Sequence, residues 1–305
     1  MIESTLIKNV DIVFLDQILK GDILIKDGKI SKIASSLSDS AEVVLNESGL
    51  TLFAGNIDPH VHFRDPGATH KEDINSGSIA AASGGITTFF DMPNTTPSTT
   101  TIEALEAKKE YAKHNSLVNY NFFIGATHDN LNHLKQVQNV PGIKIYVGSS
   151  TGELLVDKKE ELEQIFTQTK HAIAVHSEDE QMIQERLQTY KGSSNVLDHE
   201  KIRSAEGALK CTKMLVDLAQ KTNHHLHICH LTTKQEVELL RSLGTQNLIT
   251  SEVSPQHLLT YAPDIYDNWG TKAQINPPIR HQDHQESLFL GLQDGVIDFI
   301  ASDHA

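Results

Sequence analysis

From Gly55 onward the chain repeats one unit, a short apolar run followed by a longer amphipathic stretch, and that alternation constrains the fold more than any other feature. The runs fall at 56–62 (NIDPHVH), 86–91 (ITTFFD), 118–125 (VNYNFFIG), 142–147 (GIKIYV), 171–176 (HAIAVH), 224–230 (HHLHICH), 247–253 (NLITSEV) and 297–303 (IDFIASD). Their length and β-branched or aromatic content predict strands. Segments such as TIEALEAKKEYAKHN and KKEELEQIFTQTKH predict helices between them, the first opened by a capping box of Thr100 with Glu103. Parallel neighbours need a crossover connection, so strand–helix alternation predicts an α/β fold with a parallel sheet. Eight repeats point to a (β/α)8 barrel of the TIM type, with a doubly wound open sheet as the alternative. The sequence SGGIT precedes its strand and fits a helix stop, so it gives a nucleotide-binding loop little support.

The first 50 or so residues read differently. TLIKNVDIVF, DILIKDGKISKIA and AEVVLNESGLTLF are short β-branched runs separated by turns, with Asp27-Gly28 a two-residue hairpin signal. They predict a small antiparallel β unit over residues 1–53, with the barrel over 54–305. Composition narrows the partners: net charge is −14 with histidine neutral, which disfavours binding to a phosphate backbone. No apolar run is long enough to span a membrane, and the acid-containing start MIESTLIKNVDIVFLD is unlike a secretory signal, so a cytoplasmic location is expected. The two cysteines, Cys211 and Cys229, read as free buried thiols.

In such a barrel the functional groups stand at the C-terminal ends of the strands. Those ends carry His60 and His62, Asn94, Lys144, His176, His230, Glu252, His257 and Asp303, drawn from a chain with 17 histidines. A single strand histidine is usually a hydrogen-bonded core residue. Several of them, with a lysine and an aspartate on one rim, are harder to explain that way. Strand side chains alternate faces, so His60 and His62 point the same way, roughly 7 Å apart along the strand. Imidazoles suit zinc and similar cations, and Asp303 could complete a site with positions left for water. His176 and His230 could hold a second metal. Lys144 is the odd member, because an ammonium is repelled by cations unless carbon dioxide converts it to an anionic carbamate. Arg64, on the parity of the two histidines, can offer a fork to a carboxylate or pair with Asp65 or Glu72 on the surface. Asn94 and the INPP segment also read as a turn residue and a rigid loop.

The motifs DPHVHFRDPG, DMPNTTP, GIKIYVGSSTGELLVD, HSEDE, HICHLTT, EVSPQHL, INPPIR and IDFIASDHA, in this order, resemble those of a dihydroorotase of the amidohydrolase superfamily. The resemblance runs from the N-terminal unit to the last residue, and HFRDPG with MPNT is its specific part. It implies a TIM-type barrel with a small N-terminal β-sandwich unit. It also implies a binuclear zinc hydrolase that interconverts dihydroorotate and N-carbamoyl-L-aspartate in pyrimidine biosynthesis. His60, His62 and Asp303 would bind the first of two Zn2+ ions, and His176 and His230 the second, with carboxylated Lys144 as bridge. Arg64, Asn94 and Asn276 would grip the substrate. A hydroxide held by both metals would attack the ring amide, with Asp303 as proton shuttle. Related hydantoinases and allantoinases, or a non-catalytic scaffold subunit, are the alternatives. The substrate is a small molecule, neither nucleic acid nor membrane is implied, and a homo-oligomer is left open.

The chain departs from the pattern in places. Some relatives bridge the metals with an aspartate shortly after the lysine position; Ser149 and Ser150 stand there, which favours Lys144 as the bridge. Gln256 replaces a more usual histidine, leaving the role of His257 open, and Glu252 is left unassigned. Relatives continue past SDHA, so the barrel is expected to be truncated after strand eight, with unpaired strand edges there.

Overall fold

The computed structural model describes residues 2–148, 152–244 and 248–305, so Ser149, Ser150 and Asn247 lie outside the described residues. The chain divides into two compact units, Met1–Asn56 and Ile57–Ala305.

In the first unit, β1 (Ser4–Val13), β2 (Ile18–Lys26) and β3 (Lys29–Ala34) form an antiparallel meander, while β4 (Val43–Asn46) and β5 (Thr51–Leu52) both join β1 in parallel. The expectation of a purely antiparallel unit therefore needs correction: the sheet is mixed. The long connection from β3 lets the chain return to β1 in the parallel sense, which a tight hairpin cannot do. The Asp27-Gly28 signal is a hairpin turn, with φ of 51° and 70° and Lys26 facing Lys29. Two successive positive φ values match the right-handed twist of the flanking strands, and Asp-Gly adopts them cheaply.

The second unit is a parallel barrel. Strand β6 (Asn56–Val61) neighbours β7 (Ile86–Asp91), which pairs with β8 (Asn119–Phe122). From β9 (Ile124–Gly125) the ladder runs through β10 (Ile143–Tyr146), β11 (Ile173–His176), β12 (Leu226–Ile228), β13 (Ile249–Val253) and β14 (Phe299–Ile300). Only Phe123 separates β8 from β9, and its N–H donates to the Asp91 carbonyl, so the two segments serve as one barrel position. At the other seam Val61 bridges His304 in parallel and the His62 N–H donates to the His304 carbonyl at 2.7 Å. The eighth strand therefore pairs with the first at the rim, and the expected unpaired edge is absent at that point. Outside this rim contact β14 is short, and Phe299 and Ile300 remain exposed.

Helices cover the outside and their caps explain their limits. Ile102–Asn115 is capped by Thr101, whose hydroxyl accepts from the Ala104 N–H, one residue after the Thr100 expected from the sequence. Ile74–Ser83 ends at Gly84, followed by Gly85 at φ +80°, the stop read from SGG. Ala205–Thr222 begins under the Ser204 cap and lays Cys211, Leu215, Leu218 and Ala219 into the core. Fully buried Ile143, Ile145, Ile173, Val175, Leu226 and Ile228 form much of that core with Phe89 and Phe122. These continuous apolar strands are what a parallel sheet covered on both faces requires.

Candidate metal centre

The barrel rim gathers His60, His62, Lys144, His176 and His230, all buried, with Asp303 partly exposed. Four imidazoles form a continuous array: ring centroids lie 5.1 Å apart for His62 and His60, 5.3 Å for His60 and His230, and 4.7 Å for His230 and His176. The ring nitrogens face each other, His60 Nε2 to His62 Nε2 at 3.1 Å and His176 Nδ1 to His230 Nε2 at 3.1 Å. Asp303 Oδ1 lies 3.2 Å from His60 Nε2 and 3.0 Å from His62 Nε2. Ligating atoms of His60, His230 and Asp303 all come within 4.8 Å of one another. The expected metal residues are thus brought together, in one contiguous cluster.

Backbone geometry places several of these groups. Arg64, His230 and Asp303 have φ of 57°, 36° and 49°, a left-handed conformation uncommon for such residues. Asp91 holds the turn after β6, accepting from the Phe63 N–H at 2.8 Å and from the buried Lys108 ammonium. The strand ends at Val61, so the parity argument for Arg64 does not apply: the left-handed turn places it instead. Among the described residues no carboxylate pairs with Arg64, because Glu72 takes the His304 ring and Asp65 takes the Ile74 N–H. Its buried Nε has no hydrogen-bond partner among the described residues. The Asp303 segment is held by Ala301 N–H to the Val253 carbonyl, Ser302 N–H to Asp58 and Gln256 to the Ser302 carbonyl.

The groups behind the imidazoles were not assigned from sequence. Glu252 binds His60 Nδ1 with one oxygen and His227 Nε2 at 3.0 Å with the other. Glu178 lies 2.7 Å from His176 Nε2 and 2.5 Å from an Arg203 guanidinium nitrogen. Such carboxylate–imidazole pairs turn the other ring nitrogen toward a metal and raise its basicity. Asn94, expected on the substrate, has its amide oxygen 2.6 Å from His62 Nδ1, so it orients that ring. His257 is committed on both nitrogens, to the Ser254 hydroxyl at 2.7 Å and the Pro277 carbonyl at 3.0 Å. It steadies the loop that carries Asn276, which is exposed. Lys144 is fully buried and donates to the Cys229 sulfur at 3.0 Å, with no carboxylate partner among the described residues. Both cysteines are free and buried, as expected.

The field of the cluster fits a cation. Burial opposes a charge on His60, yet the Glu252 and Asp303 carboxylates outweigh it and raise its pKa to about 10. A place that retains a proton so firmly has strong negative potential, and a divalent cation would compete for the same nitrogen. Asp303 and Glu252 are both held well below the usual carboxylate range: burial opposes this, and the neighbouring imidazoles prevail. Burial lowers His62, His176 and His230, which favours the neutral, ligating form. Buried His230 Nδ1 has no hydrogen-bond partner among the described residues, another donor atom suited to a ligand from outside. A set of imidazoles with carboxylate suits zinc and similar borderline cations.

Barrel and rim together define a class, the metal-dependent hydrolases built on a parallel (β/α)8 scaffold. Residues 51–305 match the Amidohydrolase family, and the chain belongs to that family. It is 36% identical over 315 residues to a dihydroorotase of Methanosarcina mazei, covering 98% of this chain and 68% of that protein. It is 34% identical to a dihydroorotase of Lactobacillus gasseri, covering 99% of this chain and 71% of that one. The L-hydantoinase (dihydropyrimidinase) of Arthrobacter aurescens superposes with a TM-score of 0.92 at 28% identity, covering all of this chain and 69% of that one. The chain thus spans about two thirds of the length of the relatives it matches. Among the described residues no helix is long and apolar enough to cross a membrane.

Proposed function

We propose that this chain carries the catalytic barrel of a dihydroorotase, which hydrolyses the ring amide of dihydroorotate reversibly to N-carbamoyl-L-aspartate. The observation that carries the reading is the convergence of His60, His62, His176, His230, Lys144 and Asp303 on one rim, joined to its similarity to dihydroorotases. His60, His62 and Asp303 would hold one Zn2+, His176 and His230 a second, with carboxylated Lys144 between them. Lys144 supports this by its position: a buried ammonium among imidazoles is costly unless its charge is inverted. Bound divalent cations supply positive charge against a carbonyl oxygen and bring the ionisation of water close to neutrality.

The remaining work belongs to the chain's side chains. Asp303 would take a proton from water and pass it to the leaving ring nitrogen, its partly exposed carboxylate standing beside the His60 and His62 nitrogens. Glu252 and Glu178 fix the ring planes of His60 and His176, and Asn94 does the same for His62. Among the described residues Arg64 has no protein carboxylate to satisfy it, which favours a substrate that brings one, and dihydroorotate does so where hydantoin does not. Asn276 stands on the adjacent loop as a further contact to substrate. The test is turnover by the zinc-reconstituted protein on dihydroorotate, hydantoin and allantoin, with metal content measured in parallel. Preference for dihydroorotate supports the reading; preference for either other ring replaces it.

A further inference from the structure

Tyr146 is the last residue of β10 and lies opposite His176 in the β10–β11 register. Side chains alternate along a strand, so Tyr146 shares the face of Lys144, one layer nearer the rim. Its ring centroid lies 5.2 Å from Lys144 Nζ and 6.2 Å from the His176 ring. The backbone is clamped by its bridge to Leu155 and by the Val156 N–H donating to the Tyr146 carbonyl at 2.9 Å. The residue is 7% exposed, and its buried hydroxyl has no hydrogen-bond partner among the described residues.

That hydroxyl is an anomaly for a structural residue. A buried tyrosine normally finds a partner, and phenylalanine would fill the same space without leaving a polar atom unpaired. A second buried donor is in the same condition, the Nε of Arg64, held by a left-handed turn. Two donors with no acceptor among the described residues therefore stand at the rim, Tyr146 against Lys144 and His176, and Arg64 two residues after His62. The acceptor that satisfies both has two oxygens and negative charge, which describes a carboxylate; the ring carbonyl under attack belongs on the metal side.

We propose that Tyr146 is a specificity-determining residue whose hydroxyl donates to the substrate carboxylate beside the Arg64 guanidinium. This rests on the dihydroorotase reading, which supplies the carboxylate. The test is Tyr146→Phe in the zinc-reconstituted protein, with KM and kcat for dihydroorotate, and thermal stabilisation by an equilibrium mixture of dihydroorotate and N-carbamoyl-L-aspartate. Loss of one hydrogen bond to a charged group predicts a KM about 10- to 100-fold higher, with kcat changed much less. Stabilisation by the mixture falls correspondingly, while the urea midpoint of the metal-free variant equals or exceeds that of wild type. An unchanged KM overturns the assignment, and so does a lowered urea midpoint with normal ligand stabilisation, which would make the hydroxyl structural. If wild type neither turns over dihydroorotate nor gains stability from the mixture, the dihydroorotase reading falls and this inference falls with it.

Discussion

The two halves of the imidazole array are built alike and charged differently. His60 and His62 have Glu252 and Asn94 behind them and Asp303 in front, so two carboxylates serve two rings. His176 has Glu178, whose charge is already shared with Arg203, while His230 has a share of Asp303, and both face the Lys144 ammonium and each other. The outcome is visible in protonation: His60 is raised to about 10, whereas burial and then the neighbouring His176 hold His230 well below the ordinary range. The first half already offers two carboxylates to offset a cation, which would have to displace the proton that His60 retains. On the two-zinc reading, the second would need a change of charge at Lys144 before a cation is comfortable there.

The largest expected effect comes from removing that lysine. Lys144→Ala should leave the first half able to bind metal and deprive the second of its bridge, lowering zinc content by about one equivalent. Turnover should fall by roughly three orders of magnitude, the scale of losing one main electrostatic stabiliser in an active site. Metal analysis and steady-state rates check this, and a variant with two zinc ions and normal turnover would erase the distinction between the halves. The same asymmetry predicts that metal-free protein reconstituted without bicarbonate takes up less zinc than protein reconstituted with it.

A buried histidine outside the array shows what an imidazole looks like when it serves neither half. Burial lowers the pKa of His257 to about 4, only partly opposed by its bond to the Pro277 carbonyl. Its folded value lies below the unfolded one, so below neutrality the unfolded chain binds the proton more readily. The associated stability is complete above pH ~6.5 and is lost as pH falls toward 4, about 3 kcal/mol in all. Urea unfolding of metal-free protein from pH 7 to 4.5 should show this slope in wild type and a shallower one in His257→Gln. Equal slopes would mean that His257 does not stay neutral.

A smaller effect tests the carboxylates behind the rings. Glu252→Gln keeps the shape and removes the charge that holds His60, and should weaken zinc binding by about 10- to 100-fold. Glu178→Gln should weaken it less, because Arg203 already neutralises part of the Glu178 charge. Competition with a chelator of known affinity ranks the two variants, and the reverse order would contradict the difference in charge.

Much of this arrangement was legible in the sequence, and the illegible parts share a cause. ITTFFD was read as 86–91 and is Ile86–Asp91, since glycines precede it and a proline follows closely. His60 and His62 do meet, with ring nitrogens 3.1 Å apart, although the strand stops at Val61 between them. Arg64 was misplaced because alternation ends at Val61 and a left-handed turn intervenes, supported by Asp91 and Lys108 from other elements. Glu252 was noticed at a strand end but had no visible partner, since His60 is 192 residues away along the chain. Glu178 carried a faint signal, two residues after His176, which marks it only once the rim is known. Contacts closed by tertiary folding leave little trace in local spacing.

Asn94 gives the finest test of the contrast. Sequence resemblance implied a grip on substrate, yet its amide oxygen lies 2.6 Å from His62 Nδ1, where it does for His62 what Glu252 does for His60 without a charge. A neutral acceptor holds a ring more weakly than a carboxylate. Asn94→Ala should therefore lower zinc affinity by only about tenfold, the low end of the range for such supporting contacts. Raising zinc should restore most of the lost turnover, because the ring itself remains. If KM for dihydroorotate stays raised at saturating zinc, Asn94 acts on the substrate as well, and its amide nitrogen becomes the group to examine. If neither zinc affinity nor KM moves, the first half needs no support at His62, and its readiness for a cation rests on Glu252 and Asp303 alone.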